Sequence, residues 1–94
     1  MAKYILLSTL TPEGQKTLKE KPERIKEVNK EIEVYGVKVL EQYAVLGPYD
    51  FVNLVEAPDN DAVFKMSVDL GSRGTIKILS MSAVPIDKLI KSLK

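Results

Sequence analysis

Residues 37–56 read VKVLEQYAVLGPYDFVNLVE, two strand-forming runs parted only by Gly47-Pro48-Tyr49. β-Branched, aromatic and leucine residues make the runs; glycine and proline make the break. A connection this short cannot cross over a sheet, so Val37 to Leu46 and Asp50 to Glu56 must pair as an antiparallel hairpin. A hairpin in mid-chain fixes the frame into which every other segment must fit.

The flanking segments supply one strand and one helix on each side. KYILLST, residues 3–9, reads as a strand, and Thr11-Pro12-Glu13 gives a cap, a first-turn proline and a first-turn acid for a helix. Pro22 breaks that helix into a short piece and a main piece from about Glu23 to Val34, which Tyr35-Gly36 ends. After the hairpin, Pro58-Asp59-Asn60-Asp61 opens a second helix with Val63, Met66, Ser67 and Leu70 on its inner stripe. Gly71 is read as the left-handed residue that closes it. Thr75 to Ala83 is a fourth strand, and Pro85 opens a terminal helix whose Ile86, Leu89, Ile90 and Leu93 share one side.

The order β-α-β-β-α-β plus a helix predicts an α+β, ferredoxin-like fold with a four-stranded antiparallel sheet and strands one and three at its centre. A domain of residues 1–84 and a helical extension of residues 85–94 follow from it. Both faces of the sheet read as apolar. Tyr4 and Leu6 oppose Ile5 and Leu7 on strand one, Phe51 and Val55 oppose Val52 and Leu54 on strand three, and Ile76 and Ile78 oppose Leu79 and Met81 on strand four. On strand two, alternation places Val37, Val39, Glu41 and Tyr43 on one face and Lys38, Leu40, Gln42 and Ala44 on the other. Two helices can cover only one face, so a second copy is expected on the other. Burying roughly four to six more aliphatic side chains is worth on the order of 10 kcal/mol before association costs.

Composition narrows the chemistry. The chain has 94 residues, no Cys and no His, which removes thiolate and imidazole metal sites, His-ligated haem and His-based triads. No metal or cofactor is expected. Fourteen Lys and Arg against 13 Asp and Glu leave no phosphate-neutralising footprint, so nucleic acid is not an expected partner. The N-terminal MAKYILLSTL has no cleavage-site pattern, and no run nears the ~20 apolar residues of a membrane span. A soluble cytoplasmic protein with no membrane partner is the expectation.

LGPYDFVNLVEAPD, followed by LGSRGTIKILSMSAV, resembles the GYD domain family, with Gly47, Tyr49 and Asp50 in the signature positions and Pro48 between the first two. The resemblance covers the chain from KYILLSTLTPEG to the end of strand four. It implies membership of the dimeric α/β-barrel superfamily, in which two ferredoxin-like sheets pack face to face. It implies no common reaction.

Topology brings three loops to one end: residues 9–14, residues 47–50 and residues 70–74. There Asp50 and Arg73 can pair beside Tyr49, and the first N–H groups of helix one can bind an anion or carboxylate. Asp50 either fastens the turn or borders a pocket with Tyr49 and Arg73 as ligand-binding residues. Tyr43 and Asn53, with Glu41 and Lys77, form a second candidate set, because polar groups on an apolar face need partners if buried. Three functions fit: a homo-oligomeric small-molecule-binding or regulatory module, a cofactor-free enzyme using Tyr and Asp in acid-base chemistry, or a structural oligomer subunit.

Overall fold

A computed structural model describes residues 1–94. The chain forms β1 (Ala2–Leu10), α1 (Pro12–Glu20), α2 (Arg24–Glu31), a 3-10 turn (Ile32–Tyr35), β2 (Lys38–Ala44), β3 (Phe51–Ala57), α3 (Asn60–Ser72), β4 (Ile76–Ala83) and α4 (Ile86–Ser92). The sheet order is β2-β3-β1-β4 with every neighbouring pair antiparallel, so β1 and β3 are central as expected.

Local chemistry sets the helix ends. Thr11 Oγ1 accepts from the Gly14 amide at 3.2 Å and Pro12 takes the first helical position, where its missing N–H costs nothing. Pro22 interrupts the arm, which resumes as α2, passes into the 3-10 turn and stops at Gly36, whose φ is 82°. Asp59 caps α3 by accepting from the Ala62 amide at 3.0 Å. Gly71 is not the left-handed residue: α3 runs through it, and Gly74, with a φ of 77°, makes the reversal into β4.

The core lies between the sheet and α3. Tyr4 and Leu6 from β1, Val55 and Ala57 from β3, and Ala62, Val63, Met66 and Leu70 from α3 are buried, joined by Ile32 and Val37 from the chain leading into β2. Each large aliphatic withdrawn from water here contributes about 1.5–3 kcal/mol. Tyr4 keeps its hydroxyl satisfied by donating to Asn60 Oδ1 at 2.6 Å.

Strand two departs from simple alternation. Val39 pairs with Val55 and Glu41 with Leu54, so Leu40 is an extra residue in a β-bulge. The bulge reverses the faces expected after it. Gln42 and Ala44, opposite Asn53 and Phe51, share the helix side with Val39, while Glu41 and Tyr43, opposite Leu54 and Val52, face away with Lys38.

The other face of the sheet is uncovered in the single chain. Ile5 faces Leu54 and Met81, and Leu7 faces Val52 and Leu79, an apolar ladder across the three strands β3, β1 and β4. Leu79 and Met81 are 48% and 42% exposed. The terminal helix does not fold under it: Ile86, Leu89, Ile90 and Leu93 all remain exposed.

Candidate functional site

The three loops do converge, through the end of β1. Thr11 Oγ1 donates to the Gly74 carbonyl at 2.8 Å, and the Thr11 amide donates to Thr75 O at 3.1 Å. Gly14 is buried against the same segment, where any Cβ would collide with the Thr75 carbonyl. On the opposite flank Asp50 Oδ2 accepts from the Leu10 amide at 2.7 Å, and the Asp50 amide donates to Ser8 O at 2.8 Å. Asp50 thus pins the hairpin to β1. Its backbone carbonyl also closes the turn by accepting from the Val45 amide at 2.9 Å.

Asp50 and Arg73 do not meet. Arg73 points instead toward the helical arm, where its guanidinium binds Glu31 and, at 3.3 Å, Asp69. Arg24 binds Glu31 from the other side and Glu27 at 3.2 Å, and Tyr35 donates to Asp69 at 2.8 Å. The reason is reach and spacing: Asp69 lies four residues before Arg73 on the same helix face, and the bend after Pro22 brings Glu31 within range. Hydrogen bonds from Arg24 and then Arg73 hold the Glu31 carboxyl at about 2, against an ordinary value of 4.5. Asp69 is lowered as well, first by Tyr35 and then by Arg73. This network is not legible in the sequence, because its partners come from α2, the 3-10 turn and α3.

At the N-terminus of α1 the Gly14 amide is already taken by Thr11 Oγ1. Tyr49 is half-buried in the turn. Tyr43 stands exposed on the uncovered face, donating to Glu41 at 2.9 Å, a bond that raises its pKa above the ordinary 10.0. A phenol held this way is a poor proton donor near neutral pH.

Asn53 and Arg73 come together where Tyr49 and Asp50 do not. Both line a cavity of about 310 Å³ between the helix side of the sheet and the α1–α2 arm. Leu6, Ile25, Val28, Phe51 and Ile78 supply apolar wall; Ser8, Asn53 and Gln42 interrupt it. Gln42 is paired with Asn29 through bonds of 2.8 and 3.3 Å. Asn53 Oδ1 is buried with no hydrogen-bond partner. The arm creates this space because α2 buries no residue and α1 buries only Gly14. Among the candidates read from sequence, Asn53 and Arg73 line this cavity, and Asn53 is the one that brings to it a buried polar atom without a partner.

Comparison with known proteins agrees with this architecture. A family model described as GYD domain matches residues 4–93. A protein of Thermus thermophilus, the glutamine synthetase and cystathionine beta-lyase binding protein, is 54% identical over 95 residues, covering 100% of both chains. Among solved structures, MtbAldR superposes with a TM-score of 0.66 at 16% identity over 89% of this chain and 52% of its own. FFRP-DM1 superposes at 0.62 with 19% identity, over 89% of this chain and 100% of its own. TTHA0845, also from Thermus thermophilus, does so at 0.56 with 22% identity, over 90% and 95%. At these identities the structures establish the ferredoxin-like fold alone.

Proposed function

The chain belongs to the GYD domain family, and from that footing we propose that it is a homo-oligomeric regulatory module of the cytoplasm that works by binding a metabolic enzyme. The observation that carries this reading is the uncovered sheet face. Ile5, Leu7, Val52, Leu54, Leu79 and Met81 form a contiguous apolar surface of a kind that soluble proteins seldom leave open. Two such faces laid together give a dimeric α/β barrel. The α4 helix supports the same arrangement, because its exposed Ile86, Leu89, Ile90 and Leu93 can be buried only against a surface that the chain in its present position does not offer them.

The kind of partner is taken from the relative that is 54% identical along its whole length, named for binding glutamine synthetase and cystathionine beta-lyase. Asp50 fits a scaffold better than acid-base catalysis, since one of its carboxylate oxygens is committed to the Leu10 amide and its backbone to Ser8 and Val45. Sedimentation velocity tests both parts of the proposal. Alone, the protein should run as a dimer or larger at micromolar concentration, and Leu54→Lys should reduce it to monomer. Mixed with purified glutamine synthetase or cystathionine beta-lyase, it should co-sediment with at least one. A monomer mass across the micromolar range would remove the barrel, and free boundaries with both enzymes would remove the partner class.

A further inference from the structure

The cavity under the α1–α2 arm has a composition that selects an occupant, independently of any protein partner. We propose that it binds a small neutral molecule with an apolar body and one hydroxyl or amide head, the head held at Asn53.

Size sets the first limit. About 310 Å³ is at the lower end of the roughly 300–1,000 Å³ typical of small-molecule sites, so the occupant is small. Wall chemistry sets the second. Most of the lining is aliphatic or aromatic, with Leu6 and Phe51 from the sheet, Leu18, Ile25 and Val28 from the arm, and Met66 from α3. Apolar walls of this kind favour an apolar body over water, which needs several polar partners to stay.

Charge sets the third. Arg24 and Arg73 both reach the lining, but their guanidinium groups are engaged by Glu27, Glu31 and Asp69. Two cations face three carboxylates, so the cavity has no unpaired positive group with which to hold an anion. No Asp or Glu lines the cavity, so a cation finds no partner there either, and the occupant is uncharged.

Asn53 sets the fourth. It stands in one rung with Leu6 on one side and Gln42 on the other. Leu6 offers no polar side-chain atom, and the Gln42 amide is satisfied by Asn29. The buried Asn53 Oδ1 is left without a partner, a state that native proteins rarely keep unless something supplies the missing bond. A carboxamide can present either its carbonyl or its NH2 by rotating, so a head that both donates and accepts suits it best. Ser8, 1% exposed and diagonal to Asn53 on the neighbouring strand, is a second polar point on the same floor.

The test uses three probes that share a ring and differ in the head: phenol, toluene and benzoate. Each is titrated into the full-length protein at neutral pH and followed by backbone amide NMR. Phenol should give saturable shifts at Leu6, Ser8, Val28 and Asn53, toluene should bind about five- to tenfold more weakly for want of one hydrogen bond, and benzoate should not saturate. Asn53→Leu should erase the preference for phenol while toluene still binds. Should that variant fail to fold, Val28→Phe, which fills the cavity, should abolish binding of both neutral probes. The proposal is overturned by equal affinity for phenol and toluene, by saturable benzoate binding, by shifts confined to Ile5, Leu7 and Leu54 on the uncovered face, or by no saturable binding up to millimolar phenol. Binding of phenol with no binding of either enzyme would separate this inference from the proposed protein partnership.

Discussion

The helix joining β3 to β4 and the helical arm joining β1 to β2 lie on the same side of one sheet, yet they meet it differently. α3 is continuous over 13 residues and sends Ala62, Val63, Met66 and Leu70 into the core. The arm is broken at Pro22 into pieces of 9 and 8 residues, and only Gly14 of those two helices is buried. Helices of this length are marginal by themselves and depend on tertiary contacts. α3 obtains them from apolar packing. The arm touches the core only at its far end, where Ile32 is buried and Val28 and Tyr35 pack beside it, and it relies also on fastenings at both ends: Thr11 and the close-packed Gly14 against the β4 end, and Glu31 between Arg24 and Arg73. One half of the helical layer supplies cohesion and the other supplies room.

The sharpest challenge to that contrast is a matched pair of truncations. Met66→Ala, at a fully buried site on α3, should cost about 2–5 kcal/mol in urea unfolding, whereas Val28→Ala, beside the cavity on α2, should cost less than about 1.5 kcal/mol. Equal losses would mean that the arm is packed as tightly as α3. A smaller effect is expected where the arm does touch the sheet end closely. Gly14→Ala forces a methyl group against the Thr75 carbonyl and should cost about 1–3 kcal/mol by the same measurement, with α1 as the part that moves.

The smallest effect concerns the charged latch. Glu31 has its carboxyl lowered in the folded chain to about 2 from 4.5, so its contribution is present above pH 4.5 and is lost as pH falls toward 2. The groups are about one-third exposed, and solvent keeps the contribution modest. Thermal melts followed by circular dichroism should show a steeper decline between pH 4.5 and 2 for the native chain than for Glu31→Gln. Parallel declines would show that the latch does not hold the arm.

The sequence carries the frame of this fold more fully than its fastenings. The two-run hairpin at Gly47-Pro48-Tyr49, the break at Pro22 and the cap at Asp59 act through the local backbone, and element order and central strands follow from them. Sequence narrows Asp50 to a turn fastening or a pocket wall; its bond to the Leu10 amide depends on a residue 40 positions away, which periodicity does not reveal. Topology sets Arg73 near Asp50, but topology locates a loop and not the direction of a long side chain. Asn53 stands out because an amide interrupts an apolar strand. Its cavity depends on how far the arm stands from the sheet, a distance set by the bend at Pro22 and by latches from three elements.

The bulge at Leu40 has a consequence for how this chain can vary. Removing one residue from a regular strand turns every later side chain over. Here the surplus residue is already set outside the ladder, since Val39 pairs with Val55 and Glu41 with Leu54, the next position along β3. A descendant lacking Leu40 would therefore keep Gln42 beside Asn29 and Tyr43 on the opposite side. β2 carries a spare place, and a deletion there changes the length of the edge without rewriting what either face presents.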